Sequence, residues 1–417
     1  MNAGGATAST TLWRHPDFLK LWAAQSVSSL GARITREGLP YAAVVSLGAS
    51  PAQIGILAAV TRAPAIVVGL MGGGLVDRRR RRPILIGADI GRAIVLASIP
   101  IAAWSHVLAI GQIYLVAALV GALSVLFDIA DHAYLPSLIG REQLVDGNSK
   151  LAVTESVAEI GGPALYGVLF QLFTAPIAIA VNAGTYLFSA AALASIGVGE
   201  TPTPGDPAAS RGHFVADFRL GLRTAWADPS VRTLLIVVTA GAFFGAFFSA
   251  LYIIYAVKVL HLTAAMLGAT VAVGGVAALF GAGVAGRVIA RFGLGPTFAV
   301  SAVIAAAGSI FVPLAHGAPF IAMAMLTISQ LIGDSVGTVT EIAGRSLRQS
   351  LVPLGLMGRV GGAFAVAPGV TGILGALVGG ALGGLIGPQA TLFIATAGLT
   401  AAAAISLASP LLRRAAP

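Results

Sequence analysis

The chain has 417 residues, of which 57% are hydrophobic and 10% charged, with a mean hydropathy of +0.91 and a net charge of +9. A soluble domain carries about a quarter charged residues, so a water-soluble globule is excluded and lipid is the expected solvent. The absence of cysteine excludes disulfides and thiolate chemistry, and the six histidines (His15, His106, His132, His213, His261, His316) are scattered without ligand spacing, so neither a cofactor nor an enzyme's metal centre is expected.

A span needs about 20 apolar residues. The residues before Thr11 are small and polar, and the first apolar stretch is too long for the core of a cleavable leader, so it reads as a first span. Glycine, proline and charge punctuation then predict twelve spans, at 19–47, 52–75, 83–104, 107–131, 148–172, 175–198, 231–257, 263–286, 294–314, 318–341, 359–385 and 388–411. The long polar segment falls mid-chain and contains an amphipathic stretch from Phe214 to Trp226. This predicts an all-α membrane protein with an N-terminal six-helix bundle over 1–198, a cytoplasmic linker over 199–230 and a C-terminal six-helix bundle over 231–417.

The charge distribution orients these spans. Of 25 basic residues, 20 fall in loops on one face, among them Arg78–Arg82, Arg141, Arg287, Arg291, Arg345 and Arg348. The opposite loops hold Lys258 alone, and Arg33, Arg36, Arg62 and Arg92 lie within spans. Short basic loops face the cytoplasm, so both termini are expected there, in the inner membrane of a bacterium. Basic residues dispersed in this way do not form a nucleic-acid-binding face. The end of the second span, Gly74 to Arg82, aligns with the end of the eighth, Gly283 to Arg291, which points to parallel repeats.

Gly73-Gly74-Leu75-Val76-Asp77-Arg78-Arg79-Arg80-Arg81-Arg82 resembles the loop signature of the major facilitator superfamily, with Arg80 in place of the usual glycine. Asp77 would then sit near the positive N-terminus of a helix in the other half, around Gly358, and with Gly73, Arg78, Arg81 and Arg82 latch one state. The segment Gly162-Pro163-Ala164-Leu165-Tyr166-Gly167 is similar to the Gly-Pro-x-x-Gly-Gly motif of antiporter members, departing from it at Tyr166. Ala88-Asp89 with Arg92, Phe127-Asp128 through Leu135-Pro136, and Arg348 through Val360 resemble the exporter subgroup that contains the enterobactin exporter and macrolide-efflux proteins. The resemblance implies a monomeric transporter in the lipid bilayer, with a small-molecule substrate and protons as coupling ion. An uptake symporter or a lipid flippase of the same fold is the alternative.

Ionisable groups at membrane depth are costly and usually face a cavity or a partner. Arg33, Arg36 and Glu37 lie near the middle of the first span, and Arg33 and Glu37 share a helix face at a spacing of four. That spacing reads either as a self-neutralising pair or as a substrate or proton site. Arg62 has no acid in its own helix, so Glu37 or Glu159 is the expected partner. Glu155 and Glu159 are like charges on one face, where mutual repulsion favours keeping one protonated. The bland alternative is that Arg62 or Arg92 pairs with one of them. Asp334 is the deep acid of the second half and the second candidate for coupling. Asp89, Arg92, Asp128 and Asp131 are expected near the cytoplasmic ends of spans three and four, as a salt-bridge gate. Phe244, Phe248 and Tyr252 are candidate cavity aromatics.

Overall fold

A computed structural model of the chain describes residues 12–76, 80–197 and 214–413. The described residues form helices without strands: α1 Pro16–Leu47, α2 Pro51–Val76, α3 Arg81–Trp104, α4 Ile110–Leu138, α5 Leu144–Leu172, α6 Ala175–Ala194, α7 Phe214–Ala227, α8 Pro229–Ile254, α9 Ala264–Phe292, α10 Leu294–Gly308, α11 Phe311–Leu314, α12 Pro319–Leu351, α13 Met357–Leu385 and α14 Pro388–Leu407. A π turn over Tyr255–Val259 continues α8, and α10 and α11 form one broken crossing. Ten of these segments are long and apolar enough to span a bilayer. The other two crossings, α1 and α5, are amply long at 32 and 29 residues. They fall short on apolarity because they carry most of the charges that build the site described below.

Several helices run past their predicted ends. α4 continues to Leu138 and α12 to Leu351, because charge ends the apolar stretch but not the hydrogen-bonded ladder. Helix α12 simply carries an Arg345–Glu341 pair, four residues apart, on its solvated extension. The amphipathic linker stretch is helix α7, which lies on the first turn of α13. Arg359 Nε donates to Asp217 Oδ1 at 2.8 Å, and Gly221 packs on the Arg359 carbonyl.

Helices α1 to α6 pack among themselves, as do α8 to α14, and the two groups meet along two antiparallel seams, α2 with α13 and α5 with α9. Both seams are tightest at the end of the bundle remote from the linker and the chain termini. There a Cβ built on Gly380 would lie 2.7 Å from the Gly55 Cα, and one on Gly268 would lie 2.8 Å from the Gly167 Cα. Side chains larger than hydrogen would hold these backbones apart, which is why glycine serves at such helix–helix crossings in lipid. At the other end of α13, Gly358, Gly361 and Gly362 have open space where a Cβ would be. The molecule is closed at its neutral end and parted at its basic end.

A buried apolar cluster seals the closed end, with Tyr166 and Phe170 of α5 meeting Leu251, Ile254 and Leu267 of the other half. Tyr41, Tyr166 and Phe170 stack edge-on or tilted at ring-centroid distances of 4.8 to 5.8 Å. The residue that departs from the span-five motif thus supplies a ring of the seal. Lys258 tightens the same end from the π turn: its Nζ donates to the Gly48 and Ala49 carbonyls at 3.0 and 2.9 Å. Those carbonyls belong to the exit of α1, whose last helical turn is the negative end of its dipole.

Candidate functional site

Between the halves lies a cavity of about 690 Å³, lined by residues of α1, α2, α8, α9, α11 and α12. Arg36, Glu37, Arg62, Phe248, Tyr252 and Asp334 are on its wall, together with Ser249 and Gln330. Its charged side chains divide into a connected network and two outliers.

The network joins α1 to α5. Arg33 Nη2 lies 2.5 Å from Glu159 Oε2 and 3.5 Å from Glu155 Oε1. Arg36 is 3.0 Å from both Glu159 and Glu37. The helix-face pairing of Arg33 with Glu37 is therefore not formed. Arg33 turns instead to α5, because Gly162 leaves room for its stem: a Cβ there would lie 2.9 Å from Arg33 Cγ and closer still to Arg33 Cβ. The two glutamates are bridged by Arg33, not by Arg62 or Arg92. Glu155 stays 70% exposed at the rim, whereas Glu159 is held from two sides.

The span-five motif organises this arrangement. Gly162 seats Arg33, and Gly167 meets α9 across the seam. Between them, Pro163 has no N–H to offer the Glu159 carbonyl one turn back. A Cβ built on Gly275 of α9 would lie 3.4 Å from that freed carbonyl. One short stretch thus positions the glutamate, loosens the helix beneath it and forms the contact between halves.

The outliers are Arg62 and Asp334. Arg62 Nη2 donates to Ser249 Oγ of α8 at 2.7 Å, and neither Glu37 nor Glu159 is within ion-pair distance of it. Its guanidinium lies against α13, 3.1 Å from where a Cβ on Gly372 would be. Asp334 rests its carboxylate on Gly274 of α9 next to Gln330, and a Cβ on Gly274 would occupy the position of Oδ2. Among the described residues, neither group has a counter-ion within 4 Å.

The remaining sequence-predicted residues sort as follows. Asp89 and Arg92 form an ion pair inside the first half, 0% and 2% exposed, with the guanidinium between the Phe127 and Tyr186 rings at 4.5 and 4.3 Å. That depth makes them a packing element, not a gate on a surface between halves. Asp128 is exposed on α4 with no ion pair among the described residues, and its neighbour Asp131 accepts from Gln25. Arg82 donates to the Leu193 and Ala194 carbonyls at 2.9 and 2.5 Å and so caps α6. Gly73 lies in α2 and Arg81 opens α3, while Asp77 and Arg78 lie outside the described residues. Phe248 and Tyr252 line the cavity, but Phe244 points to α14, with its ring on Gly398.

Sequence reasoning missed Ser249, Gln330 and Gly274. A serine or glycine in a glycine-rich span carries no signal of its own until its helix neighbours are known.

The two halves thus meet at two seams around a cavity with charged side chains on its wall. Residues 21–376 match the Major Facilitator Superfamily. The chain belongs to that superfamily. Among similar superfamily members, the uncharacterized MFS-type transporter YfiS of Bacillus subtilis is 27% identical over 381 residues, covering 88% of this chain and 87% of the relative. The multidrug efflux pump Tap of Mycolicibacterium fortuitum is 26% identical over 392 residues, covering 92% of each. Macrolide efflux protein A of Streptococcus pyogenes is 24% identical over 223 residues, 53% of this chain and 54% of that protein. In fold, the chain is similar to the nucleoside transporter NupG, with a TM-score of 0.73 at 14% identity over 94% of this chain and 98% of that one. A bacterial homologue of the iron transporter ferroportin in an inward-facing state gives a TM-score of 0.70 at 15% identity, covering 95% and 98%. The chain is a multi-pass membrane transporter, not an enzyme.

Proposed function

We propose that this transporter exports a small, partly apolar organic solute in exchange for protons, by alternating access of the central cavity. The observation that carries the reading is Asp334, an acid on the cavity wall with no ion-pair partner within 4 Å among the described residues. An acid in that position can be discharged by a proton, by a cationic solute group or by neither, and such competition is what exchange requires. Glu159 is the second coupling group, because protonating it weakens its hold on Arg33 and Arg36 and so loosens α1 from α5. Glu37 holds Arg36 from the same helix and would feel that change. The efflux pumps among the relatives support outward movement, and the mixed lining of Phe248, Tyr252 and Ile253 suits a solute with an apolar body.

In this scheme the basic end of the bundle faces the cytoplasm of a bacterium, both termini are cytoplasmic and one chain suffices. The state described is then open to the cytoplasm and ready to load. A bound solute shifts the balance of states only by binding one better than the other. Asp334→Asn and Glu159→Gln are expected to abolish pH-gradient-driven efflux in everted vesicles while leaving membrane insertion unchanged. Wild-type gradient-driven efflux in both variants would remove the assignment.

A further inference from the structure

We propose that the solute is dipolar, carrying a protonated amine that meets Asp334 and a carboxylate or similar oxyanion that meets Arg62. The proposal rests on the exporter reading above and adds a substrate class to it. Of the charged side chains on the cavity wall, Arg36 and Glu37 are paired with each other, and Arg36 also with Glu159. Arg62 and Asp334 have no counter-ion within 4 Å among the described residues, including each other. An uncompensated charge at this depth is costly, yet in the state described each is seated apart from the network. Arg62 is braced by Ser249, and Asp334 is laid on Gly274.

A purely cationic solute would discharge Asp334 and leave the guanidinium bare, and an anion would do the reverse. Only a molecule with both charges satisfies both walls. Leu57, Phe248, Tyr252, Ile253 and Val271 line the same cavity, so the solute has an apolar, preferably aromatic, body that carries the two charged ends. Because Arg62 stands on α2 and Asp334 on α12, such a solute ties the two halves together, whereas a singly charged one holds to a single wall.

The test uses the purified full chain in nanodiscs and two probe sets, each a dipolar parent, its methyl ester (amine only) and its N-acetyl derivative (carboxylate only). One set is built on ciprofloxacin and the other on a phenylalanine-containing dipeptide. On at least one scaffold the dipolar parent is expected to bind about tenfold or more tightly than either derivative, the size of one charge-assisted contact. Arg62→Gln should erase the preference over the ester alone, and Asp334→Asn the preference over the acetylated form alone. Arg62→Lys should retain part of it, and unchanged melting temperatures should show that all variants fold. Absence of preference for the dipolar form on both scaffolds, through equal binding or none, overturns the proposal, as does uniform weakening of all probes by both variants. Proton-driven export of the same parents and their derivatives, followed in parallel in everted vesicles, separates the two readings. Its persistence without a dipolar preference leaves the exporter standing and removes this proposal, and its absence beside an intact preference does the opposite.

Discussion

Gly274 and Gly162 each accommodate a functional side chain, and substituting them should have opposite effects. At Gly274, an added methyl would meet the far end of Asp334, a flexible side chain that can swing away. Gly274→Ala is therefore expected to leave the melting temperature within a few degrees of wild type while gradient-driven efflux falls steeply, measured in the same everted vesicles. At Gly162, the added methyl would meet the stem of Arg33 close to its backbone, where relief requires moving α1 from α5. Overpacking of this kind costs about 1–3 kcal/mol, so Gly162→Ala should lower the melting temperature, followed by tryptophan fluorescence. The charges themselves were legible in the sequence, since Arg33, Arg36, Glu37, Arg62, Glu159 and Asp334 stand out from apolar surroundings. Their pairing was not legible. Helical spacing describes neighbours on one helix, and the partner of Arg33 is decided by which helix comes close enough, a matter settled by a hydrogen atom at residue 162.

At the scale of helices, the seams have a register that can be continued. Along α5 and α9, Gly167 faces Gly268 and Ile160 faces Gly275, so each step toward the basic end of one helix is matched by a step along the other. Continued three residues further, Val157 comes opposite Ala278. Val157 is 62% exposed in the parted arrangement described. In the opposite state these two residues should touch. Because the chain has no native cysteine, Val157→Cys with Ala278→Cys forms a clean reporter. Cross-linking is expected to be slow in the resting protein and to rise when the basic end closes, and a yield that never changes would show that the register slips.

The buried Asp89–Arg92 pair belongs to this scale too, since it fastens α3 to the rings of α4 and α6. Removing one partner of a buried pair costs about 3–5 kcal/mol, so Arg92→Met should yield little folded protein by size-exclusion profile, with transport loss secondary to that. Span positions were readable from hydropathy to within a few residues. Their ends were not, because a charged residue leaves the bilayer without leaving the helix, as α4 and α12 show.

For the molecule as a whole, Lys258 is informative because it is the lone basic residue of its face and ties one half to the other. Its two hydrogen bonds to the exit of α1 are at a solvated end of the bundle, so their combined contribution is about 1 kcal/mol. Lys258→Met should shift the population toward the outward-open form by roughly fivefold. The check is labelling of an Ile253→Cys reporter, on the cavity wall, by an impermeant maleimide added from outside. Labelling that stays at the parental level would assign Lys258 to loop packing alone. The two-half architecture was visible in the sequence through its repeat and its polar middle. Which end is closed was not, because one sequence must encode both states.

The bare backbones at Gly55, Gly380, Gly167 and Gly268 bear on how quickly this machine can cycle. Interlocked side chains would have to withdraw from their sockets one by one before the outer mouth could open. Smooth surfaces separate as rigid bodies and give up only diffuse dispersion contacts. The crossings themselves then add little friction, and resistance to opening is left to the Tyr166–Phe170 cluster and the Lys258 clasp.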